Sequence, residues 1–337
     1  MPTVTLKDVA ALAEVNVSTA SRALSPDKSS LVRASTRDRV LRAAQELGYR
    51  GNLQASALRR GRTGTVGVVV ADLSNPFIGP VLRGIASALG HRDLLPIMTE
   101  SRDSSEALSK ICNKLLAQRV DGLIVTAGRY RDRTLLKAVA VEVPTVLAVR
   151  DIPRSGIPVV CHDDLAGGRL AAEHLLTLGH RKFAQLVGPR DVSSFAGRAE
   201  GFRAAIAAAG GRCLDIEGAS VLPTVEAGRS GAAQFLDRNE GATAMFAHND
   251  SMAIGAIAEF RQHGLQVPRD ISVVGFNDVP LTDQLRPPLT TVRLPGYELG
   301  RLAADLLLSR GEGSESTAER VVLAPELVIR DTTKQMT

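Results

Sequence analysis

Polar side chains gather where apolar runs of this chain end. Ser74-Asn75-Pro76-Phe77, Arg150-Asp151, His162-Asp163-Asp164, His248-Asn249-Asp250 and Asn277-Asp278 each follow such a run, and Gly197-Arg198 with Gly201-Phe202 opens a helical stretch. The chemistry these residues suit is recognition. An arginine fork holds a carboxylate or vicinal hydroxyls, amides choose the orientation of a hydroxyl, and an aromatic ring packs on a ligand's apolar face. Asp163 and Asp164 fit equally well as caps of the helix that follows, and Asp250 as a cap of its own. A second set has a different use. Ser18, Ser21 and Arg22 stand at i, i+3 and i+4, so they share one helix face. Short hydrogen-bonding side chains and one arginine near a helix N-terminus suit base edges and phosphates in a DNA major groove.

The elements that present Ser18 and Arg22 are legible nearby. Thr5 and Asp8 have the spacing of a capping box, so a first helix is predicted to start at Leu6. Val9 and Ala13 lie on its apolar face, Glu14-Val15 interrupts the period, and the Asn16 side chain is expected to cap a second helix. Ala20, Ala23 and Leu24 line the inner side of that helix. A third is expected over Ser35–Leu47, with Val40, Ala43, Ala44 and Leu47 inward and Gly48 as the stop. Three such helices make a small helix-turn-helix head.

Charge agrees with that assignment. Residues 1–62 hold 11 Lys/Arg against 5 Asp/Glu, net +6, while the remaining residues carry 30 against 31, net −1. The whole basic excess therefore coincides with the helical hairpin, as expected of a nucleic-acid-binding head on a neutral body. The first residues lack the apolar run of an export signal, and no stretch reaches the about 18 apolar residues of a membrane span, so a cytoplasmic protein is expected. Cys112, Cys161 and Cys213 are scattered without metal-ligand spacing and read as reduced core residues. Neither a metal nor a cofactor is expected.

From Thr65 the pattern becomes alternating strands and helices. Strands are predicted at 66–71, 95–99, 123–126, 145–149, 159–161, 183–187, 244–247 and 271–276, and helices at 77–89, 106–119, 165–178, 195–209, 227–236 and 252–263. That alternation argues for an α/β fold of two doubly wound parallel sheets, whose ligands bind outside the carboxyl ends of the strands. Beyond these, 296–309 reads as an amphipathic helix and 321–329 as closing strands.

Thr5-Leu6-Lys7-Asp8-Val9-Ala10, then Val15 with Thr19, Ser21 and Arg22, then Val32 with Thr36-Arg37 and Leu47-Gly48-Tyr49, resemble the head of the lactose-repressor (LacI/GalR) family of bacterial transcription regulators. The similarity runs essentially end to end. It implies a helix-turn-helix domain over 1–49, a hinge helix over 50–62, and a periplasmic-binding-protein-like effector and dimerisation core over 63–337. The first subdomain of that core would hold about 63–162 and 293–323, the second about 163–292 and 324–337, with Pro287–Val292 a crossover segment. The chain departs from the family pattern at Glu14, where the turn usually has glycine, and at Asn16, Arg33, Gly51 and Ser56. A glutamate forced to positive φ costs about 1 kcal/mol.

By the same resemblance Val17, Ser18 and Arg22 would read bases, with Thr19 and Ser21 nearer phosphates and Thr5, Leu6 and Asn16 completing the DNA face of the head. Asn52, Ala55, Leu58 and Arg59 would belong to the hinge, where Leu58 wedges between base pairs and kinks the duplex. Asn75, Phe77, Arg150, Arg198, Asn249 and Asn277 match the family's effector-lining positions. Asn277 stands at the first acidic position of the usual G-[FY]-D-D, Val149 replaces a frequent aspartate, and the chain has no tryptophan. Losing two carboxylates while keeping Arg150 and Arg198 predicts a cleft more positive than that of neutral-sugar regulators. The expected effector is a sugar, sugar acid, phosphorylated sugar or other small carboxylate, with an anion favoured. The chain ends without leucine heptads, so the expectation is a homodimer on a pseudo-palindromic operator, most often as a repressor.

Two other classes were weighed. A solute-binding protein for a transporter or chemoreceptor would share the body, but it has no use for a basic head and needs an export signal. A hydrolase built on His162, Asp163 and Asp164 finds no Walker loop, nucleophile elbow or H-E-x-x-H in support.

Overall fold

In the computed structural model of the chain, residues 4–25, 28–49, 62–217, 222–238, 241–310 and 319–336 are described. The chain divides into two compact units, Met1–Thr63 and Gly64–Thr337.

The first unit holds three helices, α1 (Leu6–Leu12), α2 (Val17–Ala23) and α3 (Ala34–Glu46). Val9, Ala10, Ala13, Ala20, Ala23, Val40, Ala43 and Ala44 form its core, with Leu6, Leu24, Val32 and Tyr49 packed around it. Small residues at the crossings let these short helices approach closely. The Asp8 carboxylate accepts from both the Thr5 amide and the Thr5 hydroxyl at 2.7 Å, which holds the start of α1 and draws the Asp8 pKa down. After α1, Glu14 sits at φ 51° while the Val15 amide donates to the Ala10 carbonyl at 3.0 Å. Gly48 closes α3 with the same geometry, φ 62° and a Tyr49 amide on the Ala44 carbonyl, so Glu14 occupies a position that favours glycine. Asn16 does stand before the first residue of α2, but its side chain makes no capping bond, contrary to expectation.

The second unit contains two sheets. The first, in the order β11-β5-β4-β3-β1-β2, is parallel throughout and comprises β1 (Thr65–Val70), β2 (Leu95–Glu100), β3 (Gly122–Val125), β4 (Thr145–Val149), β5 (Val159–His162) and β11 (Arg320–Leu323). The second runs β12-β10-β9-β8-β6-β7, from β6 (Lys182–Val187), β7 (Arg212–Glu217), β8 (Ala244–Ala247), β9 (Ser272–Asn277), β10 (Thr290–Arg293) and β12 (Glu326–Val328), and only β10 with β12 is antiparallel. Helices α4 (Ile78–Gly90), α5 (Ser105–Ala117), α6 (Arg133–Glu142) and α11 (Gly296–Arg310) go with the first sheet. With the second go α7 (Asp164–Thr177), α8 (Ser193–Ala208), α9 (Val225–Arg238) and α10 (Asp250–Gln262). The chain passes between the sheets after His162, after Arg293 and after Leu323, so three adjacent strands of chain join the two subdomains.

Buried aliphatic strands explain the sheets: β3 and β8 are buried along their whole length, as strands covered on both faces must be. The pattern reading missed α6, whose valines at 139 and 141 mimic a strand, and β7, an edge strand in which only Ile216 is buried. It also left β10 inside the crossover segment. Gly168 and Gly201 let α7 and α8 touch backbone to backbone, since a side-chain carbon on either would collide with the other helix. That contact sets Asp164 beside Arg198.

Candidate nucleic-acid interface and ligand cleft

In the head, the inner face of α2 is fixed by Ala20 and Ala23, which forces the opposite face outward. Asn16, Val17, Ser18 and Arg22 are exposed, and Thr19 and Ser21 are half-buried. Thr5 is exposed with its hydroxyl turned to Asp8, and Leu6 is half-buried against the core of the head. An exposed polar face carrying an arginine on the second helix of a tight helical pair is what major-groove reading requires. Asn52, Ala55, Leu58 and Arg59 lie outside the described residues.

In the second unit, a cavity of about 200 Å³ opens between the carboxyl ends of the two sheets. The first subdomain contributes Asp72, Asn75 and Phe77 after β1, Asp103 after β2, Thr126 after β3, Val149 at the end of β4 and Arg150 just past it. The second contributes Phe195, Pro223, Thr224, Glu226 and Ser251. Strand ends converge here because parallel strands all finish on one side, which leaves backbone dipoles and loop side chains free to meet a ligand. Val149 adopts φ 68°, with the Arg150 amide donating to the Ala148 carbonyl at 2.7 Å. A β-branched residue in that conformation is strained, by about 1–3 kcal/mol, and the strain sits on the wall of the cavity.

Of the six residues the sequence offered for this cleft, three line the cavity: Asn75, Phe77 and Arg150. Asn75 accepts from the Phe77 amide at 3.1 Å, which fixes the turn that carries the ring. Arg150 is buried and grips both oxygens of Asp103. Arg198, Asn249 and Asn277 are not on the cavity wall. Arg198 donates from Nε to Asp164 at 2.8 Å and from Nη1 to the His248 carbonyl at 2.6 Å, and its guanidinium lies 3.9 Å from the Phe276 ring centroid. Asn249 is a cap: its Oδ1 accepts from the Met252 amide and its Nδ2 donates to the Pro223 carbonyl, each at 2.7 Å. Asn277, at φ 115°, keeps its Oδ1 buried without a hydrogen-bond partner among the described residues.

These partners correct the charge argument for an anion. Arg150 is matched by Asp103 and Arg198 by Asp164, so neither arginine is a free positive charge, and the cavity wall itself carries Asp72, Asp103 and Glu226. Asp250 also departs from its expected capping role. It is fully buried, accepts from the Thr291 hydroxyl at 2.6 Å and the Val279 amide at 2.8 Å, and burial pushes its pKa up to about 7. Asp163 does cap, accepting from the Ala166 amide at 2.9 Å.

Comparison with known proteins decides what this combination is. Residues 5–52 match the model of bacterial regulatory proteins of the lacI family, and residues 172–333 match a periplasmic binding protein-like domain. The HTH-type transcriptional regulator DegA of Bacillus subtilis (strain 168) is 32% identical, over 98% of this chain and 98% of its own. The chain belongs to the lacI family. A lac repressor dimer bound to operator and the anti-inducer ONPF superposes with a TM-score of 0.88 at 30% identity, over 99% of this chain and 100% of that one. The transcriptional regulator CelR in complex with cellobiose gives 0.73 at 31% identity, over 98% and 99%.

As a member of the lacI family the chain is a transcription regulator and not an enzyme. At the end of β5, burial and the nearby Arg198 charge press the His162 pKa down to about 3, Asp163 is a cap and Asp164 serves Arg198. Among the described residues no helix is long and apolar enough to cross a membrane. The residues that sequence reasoning missed in the cleft include Asp72, Asp103, Thr126 and Glu226. Their only signal was position, each standing just past a strand end or at the first turn of a helix.

Proposed function

We propose that this protein binds a pseudo-palindromic operator as a homodimer, most often as a repressor, in the cytoplasm, and that a sugar or sugar-acid-like effector in the cleft controls it. The observation that carries this reading is the outward face of α2, where Val17, Ser18 and Arg22 stand exposed on a helix whose other face is buried. Val17, Ser18 and Arg22 are assigned to base edges, Thr19 and Ser21 to phosphates, and Leu58 to the central kink. Two heads related by a twofold axis then require two half-sites. The regulators it resembles include one solved on operator DNA as a dimer and one solved with cellobiose, which supports the same pairing of partners here.

The effector is assigned to the cavity lined by Asn75, Phe77 and Arg150, with Asp103 as a further contact. A ligand that binds one arrangement of the two subdomains better than the other shifts the population toward it, and the shift is limited by that difference in affinity. The solute-binding reading loses its ground, because a basic head with an exposed recognition face has no role in it. Selection of binding sites from a random duplex pool at physiological salt tests the proposal. A palindrome should be enriched by the wild type and weakened by Leu58→Ala. Enrichment of a site without dyad symmetry would exclude the dimeric mode.

A further inference from the structure

Leu222 and Pro223 form a wall of the cavity described above and equally a wall of a second chamber, of about 260 Å³. Its charged lining is Arg129, Arg190 and Glu217. Arg190 is exposed and tied to Glu217 at 2.9 Å and Asp215 at 3.4 Å. Arg129 is different, being only 4% exposed. Its Nη1 donates to Asp191 at 2.7 Å, while Nε and Nη2 have no hydrogen-bond partner among the described residues.

Nε and Nη2 are the two donors of one edge of the guanidinium plane. That edge matches the paired oxygens of a carboxylate or a phosphate, which is why arginine recognises both in a bidentate way. The carboxylates around Arg129 are committed elsewhere. Asp103 stands 3.6 Å from Nε, but Arg150 holds both of its oxygens. Asp132 accepts from the Arg129 backbone amide at 2.9 Å, and Asp191 is shared with Arg131 at 3.4 Å. Asp103, beside Nε, and Asp191, on Nη1, offset the charge of Arg129, but neither makes a hydrogen bond to the Nε and Nη2 edge. A buried donor left unmade costs about 1–3 kcal/mol. Two such donors on one edge of a residue that lines a chamber adjoining the effector cavity suit a paired acceptor.

We propose that the Nε and Nη2 edge of Arg129 is a second subsite of the effector cleft that takes an oxyanion, a carboxylate or a phosphate group. The inference rests on the cleft being the effector site, and it gives the effector an acid function beyond whatever fills the first cavity. Recognition comes from the donor edge and not from net charge, so a small anion alone binds weakly.

Inorganic phosphate and acetate serve as probes, titrated by calorimetry into the full-length chain, the variants Arg129→Met and Arg129→Lys, and, as a control, Arg169→Gln, an exposed arginine on α7 paired with Glu173 that lines neither chamber. Phosphate also meets the basic head, so the difference between wild type and variant is the readout. The wild type should bind at least one probe about tenfold more tightly than Arg129→Met, with Arg169→Gln close to wild type. Whether phosphate or acetate shows the larger difference tells which acid is preferred. Should Arg129→Met not fold, Arg129→Lys carries the test, since it keeps the charge and loses the edge. Equal binding by wild type and the folded Arg129 variants, or no binding by the wild type, overturns the proposal. Operator selection and these titrations read different units of the chain, so a failure here leaves the DNA-binding reading standing and a failure there leaves this one measurable.

Discussion

Arg129, in the loop after β3, reaches across the cleft to Asp191, in the loop after β6, at 2.7 Å. The Tyr130 amide donates to the Asp191 carbonyl at 3.0 Å, and the Asp151 amide to the Ser193 hydroxyl at 2.8 Å, so loops of the two subdomains are clasped to one another. Asp103 links the clasp to the effector cavity, because it lies between Arg129 and Arg150.

Asp191→Asn should loosen that clasp by about 1 kcal/mol, the modest scale of a partly exposed pair. The Tyr130 amide is the reporter. Its hydrogen exchange should accelerate about fivefold, while amides of β3 and β6 stay protected. Unchanged exchange at Tyr130 would show that the ion pair contributes nothing to closure.

Glu14→Gly should stabilise the head by about 1 kcal/mol, since glycine removes the clash of a side chain at φ 51° without touching a core contact. Thermal unfolding of the head, followed by helical circular dichroism, reads the change. A lower midpoint would mean that the Glu14 side chain makes a contact worth more than the strain.

Arg198→Met should cost about 3–5 kcal/mol in urea unfolding, because it strands the buried Asp164 carboxylate and leaves the His248 carbonyl without its donor. Adding Asp164→Asn should recover a large part of the loss. A single-variant cost under about 1 kcal/mol would instead place this pair among contacts that water replaces freely.

His162 sets a pH dependence whose sign is fixed by burial. Its folded pKa is near 3 and its ordinary value is 6.5, so in acid the unfolded chain takes a proton that the native chain refuses. Its contribution to stability is whole above pH 6.5 and falls by about 1.4 kcal/mol per pH unit as the pH drops from there toward 3. His162→Phe should remove this slope. Urea midpoints of both proteins at pH 5 and pH 7.5 check it, and parallel declines would contradict the assignment.

Much of the fold was legible because its signals are local. The Thr5 and Asp8 pair, the continuous apolar runs of β3 and β4, and the glycine after α3 each act within a few residues, and the structure keeps them. The cleft was legible only by address. Asn75, Phe77 and Arg150 were found because they follow strand ends, but what they hold was not. Arg150 meets Asp103 across 47 residues of sequence and Arg129 meets Asp191 across 62, and no spacing announces pairs that only the sheet topology brings together. That is also why the positive cleft inferred from Arg150 and Arg198 did not survive. Their partners, Asp103 and Asp164, are invisible until the strands are in place.

The measurement that tests the central claim most directly is the affinity of the purified chain for its selected operator against a shuffled duplex of the same length, by fluorescence anisotropy at physiological salt, with and without Arg22→Ala. At least about a thousandfold preference for the operator is expected, with two chains per duplex and a loss of about 1–3 kcal/mol of that preference in the variant. Equal affinity for both duplexes, or a preference that Arg22→Ala leaves intact, would contradict the claim that α2 is the reading helix.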